Sequence, residues 1–586
     1  MHESEVRAAI RAEVRSYVRG AVVRYLPLLA LAMAVVLLLV VVPDHQQPTN
    51  DAGQSALTNP PSSTTGDVPG GANPTGPSST TGQSGTTGGA TGTTGLPGGT
   101  SGATTGATSG LTTGATSGTS TGPATGGGVS VTGVKCGGGA RQFTWSPYAP
   151  LCTPRFTGQN PGATAHGVTA KDITIVLRKP TDWDSLASST KTATFSQIAQ
   201  DTTTYVNFFN SQYELYGRKV VVKTFNGKGS FISEGAGQGQ ATASTDAQTE
   251  YDMGAFADGF PFSVGAFSAQ ESAHHIVHFA PGTATAAYKA NAPYEYGLPA
   301  GPVNEAQGTG VGSFACQRLA GAKAIFAGDA VTKAKTRKFA VVEPDSNDFA
   351  GGAAALVRQM KSECGISPKV YQYSTDVTTE AQQSVQIVAQ LKADSNTTVL
   401  MLSDPIMARF MTQQATQQQY NPEWVFTILS QVLARQADAT QMAHAMEVNP
   451  WHATTGAPSS RLCYRIYKLA NPKGNPASDA GSLDTICSMI MAFYSGLQQA
   501  GPNLTPAQYY RNWFTLPSSQ GASDFGVWEY GPQNWSPDAT FTVTWWNPKA
   551  TSKYDGGTGQ FQTCGNLIDA RYVGAKLGSG QPPCFT

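Results

Sequence analysis

Residues 172–177 read DITIVL and residues 219–225 read KVVVKTF; between them, 195–213 carries Ile198, Tyr205, Phe208 and Phe209 at helical spacing. A short apolar run without polar alternation is a strand buried on both faces, so the trio reads as strand, helix, strand. The pattern then recurs along the chain. Short strands are expected at 262–267 and 276–280, a helix at 303–319, a strand at 338–343 and a helix at 349–361. Strands at 369–373, 399–402 and 424–428 alternate with helices at 379–392 and 405–418. A long apolar-faced helix at 483–499 and a tryptophan-rich tail of short strands over 524–584 complete the series. Such alternation builds parallel sheets with helices on both faces. A break near 300–336 divides it into two doubly wound α/β lobes joined by a hinge. Lobe 1 is expected at about 165–335 with part of the C-terminal region, and lobe 2 at about 336–500.

The chain ahead of the lobes is different material. Residues 25–42 (YLPLLALAMAVVLLLVVV) are uncharged and apolar over close to the length a helix needs to cross a hydrocarbon core. Arg7, Arg11, Arg15, Arg19 and Arg24 precede this run and Asp44 follows it, which leaves the N-terminus in the cytoplasm and the rest outside. A cleaved signal peptide is the alternative. Against it, the run is long for such a segment and ends in Val-Val-Val-Pro without a small-x-small site, and no cysteine stands near its end for a lipid anchor. The expectation is a single-pass signal anchor over 25–43. Residues 1–24, with Val6, Ile10, Val14 and Val18 beside the arginine stripe, read as a basic amphipathic helix on the inner leaflet, or as arginines that only fix topology. Residues 44–130 are a Gly/Ser/Thr/Pro tract that cannot bury enough apolar surface to fold. As a flexible coil it spans roughly 50 Å and would carry an extracellular domain, 131–586, away from the membrane.

The formal net charge is +0, so no global field recruits nucleic acid. All eight cysteines fall on the exported side, where an even count favours disulfides. Pairing between sequence neighbours is expected: Cys136 with Cys152, Cys316 with Cys364, Cys463 with Cys487 and Cys564 with Cys584. Metal binding is the rival use, but no CxxC spacing supports it. His274 and His275 read as structural.

Four stretches carry a resemblance. Tyr205-Val-Asn-Phe-Phe-Asn followed by Tyr216-Gly-Arg-Lys-Val-Val-Val is one, and Phe279-Ala-Pro-Gly-Thr-Ala-Thr is the second. Lys338-Phe-Ala-Val-Val-Glu-Pro-Asp-Ser-Asn-Asp-Phe-Ala-Gly-Gly and Ala492-Phe-Tyr-Ser-Gly-Leu-Gln-Gln-Ala-Gly-Pro-Asn-Leu-Thr-Pro complete the set. In this order, over roughly residues 165–550, they resemble the type I periplasmic binding proteins, specifically the branched-chain amino acid-binding family of ATP-binding-cassette importers. The resemblance implies lobes that close on a small solute, such as an amino acid or amide, and an import permease as partner. It implies no cofactor and no catalysis. It also implies ligand contacts from Ser268 and Gln270 after the strand FSVGAF, and from Pro281, Gly282, Thr283 and Thr285 in the next strand-end loop. Phe349 stands where the family has a tyrosine, and Asp404 near the family's acid.

Two departures qualify the ligand. The family's loop hydroxyl falls on Ala284 unless Thr283 or Thr285 replaces it, and Arg178-Lys179-Pro180 implies a cationic or bulkier cleft. Each candidate also has an ordinary role: helix capping for Thr283, Thr285 and Asp404, and core packing for Phe349. The tail tryptophans Trp528, Trp535, Trp545 and Trp546 read as core before a sugar platform. G-x-S-x-G occurs only at Gly118–Gly122, inside the Gly/Ser/Thr/Pro tract where no strand-turn-helix elbow is expected, and no H-E-x-x-H or Walker loop occurs. The sequence therefore reads as a membrane-tethered extracellular solute-binding protein, with a receptor or surface scaffold on the same two lobes as the alternative.

Overall fold

The apolar runs fold into two parallel sheets in the computed structural model. It describes residues 127–586 apart from 260, 282, 300, 347–348, 428, 430, 451–455, 477–479 and 554–555. The helix expected over 1–24, the membrane span over 25–42 and the linker up to residue 126 lie outside the described residues. Among the described residues no helix is long and apolar enough to cross a membrane.

In the first lobe, β1 (Asp172–Lys179) pairs in parallel with β2 (Lys219–Asn226) on one side and β3 (Ala257–Asp258) on the other. A parallel bridge from Ala257 to Val277 brings up β4 (His278–Ala280), which pairs with β5 (Glu295–Gly297). In the second lobe β6 (Phe339–Pro344) lies between β7 (Lys369–Tyr373) and β8 (Thr398–Met401). Beyond them follow β9 (Glu423–Phe426) and β10 (Ala445–Asn449), and then the antiparallel pair β11 (Thr540–Thr551) and β12 (Thr558–Thr563). Each lobe thus runs its five parallel strands in the order 2-1-3-4-5, a doubly wound arrangement whose ligands sit beyond the carboxyl ends of the strands.

The second sheet shows why its strands read so clearly. Val341, Leu400, Val425, Met446 and Trp545 stand in register across it and share one core cluster. Their neighbours Ala340, Val342, Val399, Met401, Trp424 and Phe426 fill the cluster on the opposite face. Both faces are covered by apolar side chains, so most strand positions are selected for hydrophobicity. The tail tryptophans Trp528, Trp535, Trp545 and Trp546 are all buried core residues. The four disulfides join the expected neighbours, Cys136–Cys152, Cys316–Cys364, Cys463–Cys487 and Cys564–Cys584.

The lobe boundaries differ from the sequence reading. The chain crosses between the two cores at three places: from Leu298 to Ala306, from Val448 to Leu462, and from Tyr530 to Phe541. Helix α4 (Asn304–Phe314), which the sequence reading placed in the first lobe, belongs to the second, where it lies against α5 (Gly352–Cys364). Their backbones approach so closely that a Cβ at Gly308 would stand 2.0 Å from the Gly352 carbonyl oxygen. Helices α8 (Leu462–Ala470) and α9 (Ala480–Ala500), expected in the second lobe, return to the first. There Leu483, Ile486, Ile490, Phe493 and Leu497 put α9 at the centre of the core.

One expected strand is a helix. Residues 262–267 alternate like a strand, yet β3 ends at Asp258 and α3 (Gly265–Ala273) begins within the stretch. Gly265 has φ +44°, and a Cβ there would meet the Glu234 carbonyl oxygen at 1.9 Å, so this turn into the helix needs glycine.

Candidate ligand cleft

A cavity of about 320 Å³ lies between the lobes, beyond the carboxyl ends of both parallel sheets. Its size falls in the range of small-molecule sites. The first lobe contributes apolar walls from Leu186, Phe231, Ile232 and Val264, and the second adds Phe349 and Ile406. Of the residues named from sequence, Ser268, Pro281, Thr283, Phe349 and Asp404 all line this one cavity. Gln270 does not: it sits on the same helix as Ser268, turned toward Gln240 at 3.4 Å. Thr285 does not either. Its N–H and hydroxyl donate to the Glu305 carboxylate at 3.2 and 3.1 Å, which leaves Thr283 as the loop hydroxyl at the cavity. Gly282 lies outside the described residues.

The first-lobe wall is held by a buried histidine. His278 is fully buried on β4, and loss of hydration lowers its pKa to about 4, so the ring is neutral at pH 7. Its Nδ1 stands 3.1 Å from the Ile276 carbonyl, which can only accept, so Nδ1 carries the proton. Nε2 therefore accepts from the Ser268 hydroxyl at 2.9 Å. This is not a catalytic pair. The ring is oriented by a carbonyl rather than a carboxylate, and a group that protonates near pH 4 is a weak general base at neutral pH. Histidines 274 and 275 have structural partners: His274 Nδ1 lies 2.8 Å from the Gln270 carbonyl, and His275 stacks on Tyr294.

The second-lobe wall is acidic. Asp404 is the N-cap of α7 (Pro405–Gln417), its Oδ1 accepting from the Ile406 and Met407 N–H groups at 2.8 and 3.0 Å. Its Oδ2 accepts a hydrogen bond from Tyr373. Asp404 thus fills the capping role and lines the cavity as well. Beside it Glu380, in the first turn of α6 (Val377–Ala393), is buried. Loss of hydration, reinforced by Asp404 and Asp376, pushes its carboxyl up to about 8, so it is largely protonated at neutral pH. Glu295 and Asn291 complete the polar lining from the first lobe and bond to each other. Sequence reasoning missed Glu380, Glu295 and Asn291, since nothing local distinguishes them from solvated polar residues.

The cationic cleft expected from Arg178-Lys179-Pro180 is not found. Arg178 is fully buried and turned into a set of carboxylates behind the wall, and Lys179 pairs with Asp184 at 2.6 Å. Among the described residues no lysine or arginine lines the cavity.

Two lobes of matching 2-1-3-4-5 strand order, with a cavity at the facing carboxyl ends, define the two-lobed α/β architecture of the type I periplasmic-binding fold. No protein-family model and no curated protein matches the sequence. Among solved structures, the chain is similar to a fatty acid ABC transporter substrate-binding protein from Thermomonospora curvata, at 13% identity and TM-score 0.48, over 71% of this chain and 97% of that one. It is similar to a periplasmic binding protein from Burkholderia mallei at 11% identity and TM-score 0.46, over 71% and 99%. A third likeness is an ABC transporter solute binding protein from R. palustris in complex with 4-hydroxybenzoate, at 10% identity and TM-score 0.46, over 68% and 98%. The fold statement rests on the strand orders and the two cores themselves.

Proposed function

We propose that this chain is a non-catalytic solute-binding protein that closes two lobes on a small, largely apolar solute and delivers it to an ABC-type importer. The observation that carries the reading is the cavity shared by both lobes, at the strand ends where this architecture takes its ligands. In support, the five sequence-named residues that line it come from both sides of the cleft. The solute class follows from the walls. Apolar side chains dominate, Glu295 and Asp404 supply the acidic groups, Glu380 adds a largely protonated carboxyl, and no base offsets them among the described residues. Such a lining favours an amine or amide on an apolar body, an amino acid side chain or amide among them, over a free anion. Residues 25–42 would tether the domain outside the cell, with the N-terminus in the cytoplasm.

The test is thermal unfolding of the full chain in detergent micelles, oxidised, against amines, amides, amino acids, sugars and nucleosides. A ligand that binds only the folded state adds about 2.7 kcal/mol at a hundredfold excess over its Kd. The expected result is a response confined to apolar amines, amides or amino acids. A flat panel, repeated after partial unfolding to remove carried-over solute, overturns the proposal in favour of a receptor or scaffold.

A further inference from the structure

The carboxyl ends of β1 and β3 meet where the first lobe's strand order reverses, and five acidic side chains gather there around one arginine. The charge of Arg178 is already answered. Its Nη1 and Nη2 donate to Glu234 at 2.8 and 2.6 Å, and Nη1 donates to Asp246 at 3.1 Å. That leaves Glu250 on α2 (Gln240–Asp252), Asp258 at the end of β3 and Glu271 on α3, which are 0%, 1% and 0% exposed. One oxygen of each lies within 4.8 Å of the others. The Ser263 hydroxyl is 2.8 Å from Asp258 Oδ2 and 3.2 Å from Glu271 Oε1, but has one proton to give. Neither oxygen of Glu250, nor Oε2 of Glu271, has a hydrogen-bond partner outside this group. Carboxylate oxygens shut away from water without a partner are costly, and here they converge.

We infer that Glu250, Asp258 and Glu271, with the Ser263 hydroxyl, hold a divalent cation, calcium by preference. The donors are all oxygen, which selects hard cations. Ligands on opposite sides of a calcium ion, each about 2.4 Å from it, stand about 4.8 Å apart, and the three carboxylates fall within that span. Full burial favours calcium over magnesium, which keeps several of its waters. Burial and mutual repulsion push Glu250 and Glu271 well above the carboxylate range, so the trio needs either protons or a metal, and a cation satisfies the converging oxygens directly. Ser263 also lines the ligand cavity, and Ser268 does so from the same helix as Glu271. A bound ion would therefore brace the first-lobe wall from behind.

The inference does not depend on the solute reading, since its test uses no solute. The full chain is stripped with chelator in detergent and titrated with calcium chloride, with magnesium chloride as comparison. Metal content and the thermal midpoint are read together. The expected result is one calcium per chain, a raised midpoint and a smaller response to magnesium. Glu250→Gln should weaken calcium binding by at least about tenfold, because ligand charge sets affinity at such sites. In chelator it should unfold no earlier than the native chain, since it relieves repulsion. Glu271→Gln is the second variant. A native chain that retains no calcium and whose midpoint ignores it overturns the inference and leaves protons as the balancing charge. Calcium binding undiminished in both variants overturns it as well, by placing the metal elsewhere.

Discussion

Acidification should act on the first-lobe wall through His278. The neutral ring is held by Ser268 and the Ile276 carbonyl, with the Glu295 carboxylate 4.0 Å from Nε2 as the acidic group facing it. Its folded pKa of about 4 lies below the ordinary 6.5, so between those values the unfolded chain binds the proton and the folded chain does not. Stability from this group is therefore present above pH 6.5 and is lost as the pH falls toward 4. The separation of 2.5 units, at about 1.4 kcal/mol each, amounts to about 3.5 kcal/mol, of which roughly 2.5 is lost by pH 4.5. His278→Gln keeps an acceptor for Ser268 and cannot titrate. At pH 8 it should be less stable by about 1–2 kcal/mol, from the lost bond to Ile276. By pH 4.5 that deficit should close or reverse. Urea unfolding of the two proteins at half-unit steps from pH 8 to 4.5 measures the gap directly, and other titrating groups cancel in the difference. A gap that stays constant across the range would refute the argument. A gap that closes by less than 1 kcal/mol would mean that Glu295 takes over as partner to the imidazolium.

Arg337 grips Glu423 through two bonds of 2.7 and 2.8 Å with both side chains fully buried, so Arg337→Met should cost about 3–5 kcal/mol by leaving a charge uncompensated. Denaturant unfolding reads it, and replacing both partners by apolar residues should recover much of the loss. Asp404→Asn should keep the helix cap and change stability by no more than about 1 kcal/mol, whereas Asp404→Ala should cost about 1–2. If the cleft takes an amine, the Asn variant should bind it at least about tenfold more weakly, and unchanged affinity would confine Asp404 to capping. Among the disulfides, the separation of 48 residues between Cys316 and Cys364 predicts a loss of about 4 kcal/mol on double replacement by serine. The 16 residues between Cys136 and Cys152 predict about 3, and thermal unfolding of the two variants should rank them so.

Where burial is apolar on both faces, as at Val341, Leu400, Val425 and Met446, the sequence carries its own strand assignment and even the order of units along the chain. Lobe membership was less legible. Helix α9 has a long apolar face and is buried nearly all round, so its pattern states that it is buried but not which core buries it, and the answer depends on crossings far along the chain. The cleft was legible at strand ends, because a loop after a buried strand must reach the carboxyl edge of the sheet. Ser268, Pro281, Thr283, Phe349 and Asp404, named through the resemblance, line one cavity, but Glu380 and Glu295 enter it from positions with no such marker.

The acidic set behind the wall shows the limit most sharply. Helix α2 was not anticipated at all, because the face it buries carries Asp246 and Glu250 beside Ala243 and Ala247. A periodic pattern treats acidic residues as the solvent side, so a helix that buries carboxylates erases its own signal. Arg178 misled in the same way. Following Leu177 at the end of a strand, it reads as a cation offered to the cleft, yet its partners Glu234 and Asp246 lie 56 and 68 residues away in sequence and draw it inward. The two misreadings have one physical cause. Charged residues are buried only when a tertiary partner or an ion answers them, and that partner is invisible to local pattern. Failure of hydrophobic periodicity in an otherwise well-packed lobe is therefore itself a pointer to chemistry, and in this lobe it points to Glu250, Asp258 and Glu271.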